Sequence, residues 1–354
     1  MSELQNYKCP NCGGRVEFDP QSGKMKCSFC DSIFEISDFE TPDAQNVQNT
    51  TNTNNNEWGQ GETDNLAVYV CDSCGGEIIA DKTTGATVCP FCENPVTMKG
   101  QFAGVLRPNY VIPFAIDKKG AKECYKNHLT GRKFMPKVFK DENHIDEIKG
   151  IYVPFWLFDI NLNAAANFEG KDINVRTIGD TEYTTTRIYN CQRNATMMFN
   201  KVPTDASSKM PDDLTQSVEP FDTNNLKPFS TAYLSGYAAD KYDVEQNECM
   251  PIAIKRIENS AVDELKSTVM HESVTVLNKN VNLLSNNCNY ALYPIWLLNT
   301  TWNDEHFVFA INGDSGKAVG NLPFDSTAFT IFVITRTLIL FVIGIIIRLI
   351  MIKL

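Results

Sequence analysis

Histidine is scarce in this 354-residue chain, and so is positive charge. His128, His144, His271 and His306 are its only histidines. They form no HExxH motif and pair with no cysteine, so neither a zinc-protease nor a Cys–His catalytic arrangement is nominated. A formal net charge of −11 and a pI near 5.0 remove the basic footprint that a protein coating nucleic acid needs. A P-loop is also missing. "INGDSGKAVG" contains Gly316-Lys317 without the earlier glycine or the following Ser/Thr, and a β-turn between "FVFAI" and "AVGNL" accounts for it. The first residues, "MSELQNYKCP", have neither a basic n-region nor an apolar h-region, so no export signal is expected there. With no catalytic constellation, a non-enzymatic role is expected. What the chain does have is 43% hydrophobic residues, ordinary for a cored protein, and twelve cysteines.

Eight of those cysteines sit in CxxC pairs. Cys9 and Cys12 are followed by Cys27 and Cys30, and Cys71 and Cys74 by Cys89 and Cys92, with fourteen intervening residues each time. A shift of 62 residues superposes Tyr7 on Tyr69, Gly13-Gly14 on Gly75-Gly76, Asp19 on Asp81, Gly23 on Gly85 and Phe29 on Phe91 without a gap, the mark of an internal repeat. In CxxC the two intervening residues let the backbone turn so that both sulfurs face one point. The glycines after the second cysteine permit a positive φ and leave backbone N–H groups room to reach sulfur. Two such knuckles make four thiolates in a tetrahedron, the set that binds structural zinc, and two zinc ions are expected. "RVEFDPQSGKMK" and "EIIADKTTGATV" predict hairpins turning at Gly23 and Gly85. A unit of this size has little core, so the metal would supply on the order of 10 kcal/mol of its folding free energy. The alternatives are a redox pair, around which no thioredoxin-like βαβ pattern is present, and an iron–sulfur cluster.

The segments divide into a first ribbon (7–36), an Asn-rich linker (37–66), a second ribbon (67–99), a body (102–324) and an apolar tail (328–352). The linker core from Thr41 to Asn65 is rich in Asn, Thr and Gln and predicts a flexible tether that lets the first ribbon search for a partner. Runs such as "IYVPFWLFDINL", "TEYTTTRIYN", "YALYPIWLLNTTW" and "HFVFAING" predict strands. "DKKGAKECYKNHLTG" predicts a helix with Asp117 as N-cap and Gly131 just past its end, and "MPIAIKRIENSAVDELKSTVMHE" a second. "IYVPFWLF" and "ALYPIWLL" align, Pro154 on Pro294 and Trp156 on Trp296, which suggests either two half-domains or two unrelated strand prolines. Cys124, Cys191, Cys249 and Cys288 are scattered and expected to be packing residues.

Neither ribbon is basic, which favours protein docking over nucleic acid. The exception to the acidity is a stretch from Asp117 to Lys140 with local net charge +6, carried by Lys118, Lys119, Lys122, Lys126, Arg132, Lys133, Lys137 and Lys140. It is a candidate contact for anionic lipid or, alternatively, nucleic acid; the bland reading is a solvated helix face. From Ala328 to Ile347 there is one charge, Arg336, among twenty residues, fourteen of them Leu, Ile, Val or Phe. That length fits one bilayer crossing. A buried core helix and an interfacial helix are the competing readings. Free thiolates need a reducing compartment, so the expected placement is the cell membrane, single-pass, with ribbons and body cytoplasmic.

"CPNCGG…CSFC", "CDSCGG…CPFC", "GIYVPFWLFD", "FAINGDSGKAVGNLP" and the apolar tail together resemble the membrane-anchored double-zinc-ribbon proteins of low-GC Gram-positive bacteria. These are labelled as zinc ribbons of the transcription-factor-IIB type or by analogy with the zinc module of the primosomal helicase. The resemblance implies that the eight CxxC cysteines bind zinc and that the protein partner is an SPFH-like scaffold or an envelope-stress component. The expected fold is α+β: two four-cysteine zinc ribbons, a mixed strand-rich body and one C-terminal transmembrane helix. The expected function is a membrane adaptor, and the alternative is a membrane-tethered nucleic-acid binder.

Overall fold

The computed structural model describes residues 8–39, 57–59, 62–64, 66–81, 88–94, 96–101 and 106–353. It is a strand-rich α+β fold with two four-cysteine clusters and one long apolar helix at its C-terminal end. The first ribbon is a small antiparallel sheet of β1 (Val16–Asp19), β2 (Lys24–Cys27) and β3 (Ile33–Phe34). Gly23 turns the β1–β2 hairpin at φ +66°, donating its N–H to Asp19 O at 2.9 Å. In the second ribbon, β4 (Leu66–Cys71), β5 (Glu77–Asp81) and β6 (Val96–Gln101) belong to a different sheet of eleven strands. The turn expected at Gly85 lies outside the described residues.

That larger sheet is organised by three long strands. β8 (Lys149–Ile178) pairs antiparallel with β9 (Thr181–Asp205) on one side and β12 (Ser273–Trp302) on the other. At about 3.3 Å per residue, a 30-residue strand runs roughly 100 Å. The sequence "INLNAAANF" shows why one face of this arm is buried: Ile160, Leu162, Ala164, Ala166 and Phe168 alternate with exposed or half-exposed neighbours, the period-two pattern of a half-covered sheet. Helix α2 (Gln246–Ser267) lies on that face through Ile257, Ala261 and Leu265. β12 absorbs two bulges, at Val276/Asn278 and Leu283/Ser285, which leave Leu277 and Leu284 pointing outward.

The two Pro-aromatic segments meet at the centre of this sheet and pair with each other, Trp156 opposite Tyr290 and Trp296 opposite Gly150. Both prolines fall where a strand changes neighbour. β8 passes from the short β11 (Ala238–Asp240) to β9 around Pro154, and β12 passes from β7 (Tyr110–Val111) to β13 (Glu305–Asn312) around Pro294. At such a fork no ladder N–H is needed, so proline is tolerated in the interior of a sheet. Each tryptophan then donates to a carbonyl off the sheet, Trp156 Nε1 to Val244 O at 2.9 Å and Trp296 Nε1 to Ile116 O at 3.0 Å.

Helix α1 (Lys118–Leu129) follows its sequence signals. Asp117 caps it by accepting from Gly120 N at 2.7 Å, and Gly131 follows its end at φ +83°. Ala121, Tyr125 and Leu129, four apart, face the core, where the Tyr125 ring meets Phe309. "NGDSG" turns β13 into β14 (Ala318–Gly320) through Gly316 N–H donating to Asn312 O at 2.8 Å, so the lone Gly-Lys is a hairpin.

The tether expectation needs correction. Residues 41–56 lie outside the described residues, but the first ribbon is not free to search. Phe18 is buried with its ring edge on Tyr233, Phe18 N–H donates to Ser235 O at 3.1 Å, and Ser235 Oγ donates to Val16 O at 2.7 Å. The far end of the linker is docked as well. Trp58 lies edge-on to Phe229, and Glu62 is buried against Arg107. Composition marks these residues as solvated because the partner that buries Glu62, Arg107, lies 45 positions further along the chain.

Candidate metal centres and the basic cluster

Each cluster gathers its four sulfurs within 4.8 Å of one another. In the first, Cys9–Cys30 and Cys12–Cys27 are each separated by 3.5 Å; in the second, Cys71–Cys92 lie at 3.4 Å and Cys74–Cys89 at 3.7 Å. A tetrahedral ion with metal–sulfur bonds near 2.3 Å places its sulfurs about 3.8 Å apart, so both clusters fit a four-thiolate ion such as zinc with a slight expansion. All eight predicted ligands are thus brought together in the two sets read from the spacing.

The knuckles repeat atom for atom at the 62-residue offset. Gly13 N–H donates to Cys9 O and Gly75 N–H to Cys71 O, both at 2.8 Å, with φ +73° and +69°. Asp31 N–H to Cys27 O and Glu93 N–H to Cys89 O match at 3.1 Å. Here the positive φ falls on Asp31 and Glu93, so the returning knuckles do without glycine. Donors reach the sulfurs as expected: Gly14 N–H to Cys12 at 3.4 Å, Phe29 N–H to Cys27 at 3.5 Å and Asn94 Nδ2 to Cys92 at 3.5 Å.

These contacts divide the thiols electrostatically. The Ser32 hydroxyl and N–H bring Cys30 down to about 6. Gly14 N–H favours the Cys12 thiolate, yet its bonds to the Cys30 and Cys27 sulfurs prevail and push Cys12 up to about 12. Burial raises Cys89 and Cys74; at Cys92 burial is outweighed by the Asn94 donors, which bring it down to about 6. Four sulfurs this close cannot all ionise on their own, and a divalent cation relieves that repulsion. With four donors in a closed set, an ion here would keep no open position for substrate.

The four remaining cysteines pack. Cys249 is buried with its thiol against Asp205 O at 3.2 Å, and burial pushes Cys288 up to about 12.

The eight basic residues do not form one face. Lys118 lines a cavity of about 480 Å³ between the ribbons and the body, where burial and the Lys122 ammonium lower its pKa. Lys122 is paired with Asp146 at 2.5 Å and Lys126 with Glu142 at 2.7 Å. Lys119 and Lys137 line no described cavity. Arg132, Lys133 and Lys140 do come together, with Lys126, around a second cavity of about 420 Å³.

The residue that follows Lys133 of that wall, Phe134, touches the apolar helix α3 (Ser326–Lys353), although no described residue of α3 lines the cavity itself. The α3 segment Ser326–Arg348 is 23 residues long, about 35 Å at 1.5 Å per residue, and none of its most apolar window is buried. It is long and apolar enough to cross a membrane, and a buried core helix is excluded by its exposure. Phe134, one residue beyond Lys133, holds its start: Asp325 N–H donates to Phe134 O at 2.8 Å, and the Phe134 ring meets Phe329 and Phe332 at 5.1 and 5.2 Å. Arg336 lies over the Phe332 ring at 5.2 Å. Thr330, Thr335 and Thr337 return their hydroxyls to carbonyls four residues back, at 2.8 Å each, which suits a helix with no water around it.

One feature escaped the sequence reading although its signal was present. Phe29 and Phe91 are equivalent by the repeat, but Phe91 is half-buried against the body while Phe29 is 77% exposed. The Phe29 ring rests on Gly14, where any Cβ would meet it at 2.5 Å.

The class that these features define is a strand-rich α+β protein with two four-cysteine clusters, each able to hold a metal ion, and one unburied apolar helix long enough to cross a membrane. The chain belongs to the family of the uncharacterized protein YdjG of Bacillus subtilis (strain 168), to which it is 32% identical over 319 residues, 90% of each chain. No family model and no solved structure matches it.

Proposed function

We propose that the protein is a non-enzymatic membrane adaptor. α3 crosses the cell membrane once, body and ribbons stand on the cytoplasmic side, each cluster holds a structural zinc ion, and the first ribbon docks a cytoplasmic protein. The observation that carries this reading is the asymmetry of the two knuckle aromatics. Phe91 is spent against the body, whereas Phe29 is held outward on Gly14 and joined by Ile33, 54% exposed. A metal-braced knuckle that presents a large apolar side chain to solvent is a ready anchor for a partner pocket. The cytoplasmic placement rests on the thiolates' need for a reducing compartment. An SPFH-like or envelope-stress component is the partner type that the family resemblance implies.

The test is a crosslinking pull-down from detergent-solubilised membranes, with nuclease added to half the sample. Protein partners should survive nuclease, and Phe29→Ala should remove them while leaving the metal content intact. Partners that vanish with nuclease would replace this reading by the nucleic-acid one. Partners indifferent to Phe29→Ala would sink the docking role of the first ribbon.

A further inference from the structure

We propose that the cavity walled by Lys126, Leu129, Thr130, Arg132, Lys133 and Lys140 binds the phosphate of an anionic phospholipid. It would do so in the leaflet where α3 begins; this deepens the membrane-anchor reading and rests on it.

Of the four cations around this space of about 420 Å³, Lys126 is neutralised by Glu142. Arg132, Lys133 and Lys140 have no ion-pair partner among the described residues. Glu142 also lines this space, so its wall sets four cations against one carboxylate, a net positive concave surface in a chain of net charge −11 that favours a bound anion. The shape of the wall says which kind of anion. Leu129 and Ile145 supply an apolar side beside the cations, as a glycerophosphate needs and a free phosphate does not. The α1 carbonyls that would oppose an anion are engaged: Thr130 N–H donates to Asn127 O at 3.0 Å and Thr130 Oγ1 to Lys126 O at 3.1 Å.

Position decides the source. Lys133 is followed by Phe134, whose carbonyl receives Asp325 N–H and whose ring sits among Phe324, Phe329 and Phe332. One wall residue of the cavity, Lys133, is thereby joined through Phe134 to the first turns of the apolar helix, which brings that side of the cavity toward the headgroups if the helix enters a bilayer there. Arginine contributes a planar fork suited to a phosphate, and the lysines act as point charges.

The experiment uses the full chain purified in detergent and reconstituted into nanodiscs of phosphatidylcholine, with or without phosphatidylglycerol. Lipid retained after re-extraction is counted by native mass spectrometry. The wild-type protein should retain phosphatidylglycerol over phosphatidylcholine. Each of Arg132→Ala, Lys133→Ala and Lys140→Ala should weaken that preference roughly fivefold, the effect of one charge near an anionic surface. Lys119→Ala removes the same charge outside the cavity and should change nothing, which separates a site from general attraction. Equal loss in Lys119→Ala, or no phosphatidylglycerol preference in a wild-type protein that resists carbonate extraction, overturns the proposal while the anchor stands. Displacement of the lipid by inorganic phosphate alone would assign the cavity to a soluble anion and likewise overturn it. A wild-type protein released by carbonate would refute the anchor itself. Unchanged thermal unfolding of the variants shows that they remain folded.

Discussion

Replacing Glu62 by alanine strands a buried guanidinium. Arg107 and Glu62 are each 6% exposed, and Arg107 Nε donates to both carboxylate oxygens at 2.9 Å. Nη2 reaches Glu62 Oε1 at 2.9 Å and Phe229 O at 3.0 Å, and the guanidinium lies 5.3 Å over the Phe229 ring. Without the carboxylate, the Phe229 and Pro108 carbonyls are its remaining hydrogen-bond partners among the described residues. Removing one partner of such a pair costs about 3–5 kcal/mol, because a charge stays desolvated and unpaired. Replacing both residues, Glu62→Leu with Arg107→Met, removes that charge as well and should return the stability to near the starting value. The assay is denaturant unfolding of the detergent-solubilised protein, followed by tryptophan fluorescence. Trp58 sits on the same Phe229 ring, so it reports the undocking directly. A cost below about 1 kcal/mol for Glu62→Ala would be that of a solvated surface pair. It would refute the docking of residues 57–59 and 62–64 and restore the tether read from composition.

Three further outcomes follow from named contacts. Chelation should remove metal in two phases, the first cluster before the second, because Cys12 and Cys30 are exposed whereas Cys74 and Cys92 are half-buried; a single phase in a dye-release assay would contradict this. Phe18→Ala should cost about 3–5 kcal/mol and raise hydrogen exchange across β1–β3 without affecting β4 and β5, since it removes the ring that faces Tyr233. Asp240, fully buried on β11, is pushed up to about 8 by burial; the neighbouring Asp243 and Asp205 charges add to this and the Ser207 hydroxyl opposes it. Its native state thus prefers the proton more than the unfolded chain does. The resulting stability is fully present below about pH 3.8, erodes as the pH rises and is gone above about 8. Asp240→Asn should flatten that slope in unfolding experiments across this window, and an unchanged slope would mean that the carboxyl is hydrated.

Local rules carried much of the molecule in the sequence alone. The CxxC spacings specify both metal sets, since a knuckle is closed by two intervening residues and the turn after them. Asp117 and Gly131 bound α1, "NGDSG" bounds the β13–β14 hairpin, and the apolar run gives α3, because caps, turns and hydrophobic length all act within a few residues. Even the twin Pro-aromatic segments were visible, though the reason was not: they sit at matching forks, where each strand exchanges one neighbour for another. What only the tertiary structure decided is long-range. The first ribbon is fastened by Tyr233 and Ser235, more than two hundred positions away in the chain. Glu62 owes its burial to Arg107, and Phe134 acquires its place from Phe329 and Phe332. The basic run reads as one cluster in the sequence, yet Lys118, Lys122 and Lys126, four apart along α1, meet different neighbours, and Arg132, Lys133, Lys137 and Lys140 lie beyond its end. Lys118 faces the cavity beneath the ribbons, Lys122 and Lys126 find carboxylates, and Arg132, Lys133 and Lys140 close around one space beside the helix start. Spacing along the chain sets which ligands can share an ion; only packing sets which surface is left to meet a partner.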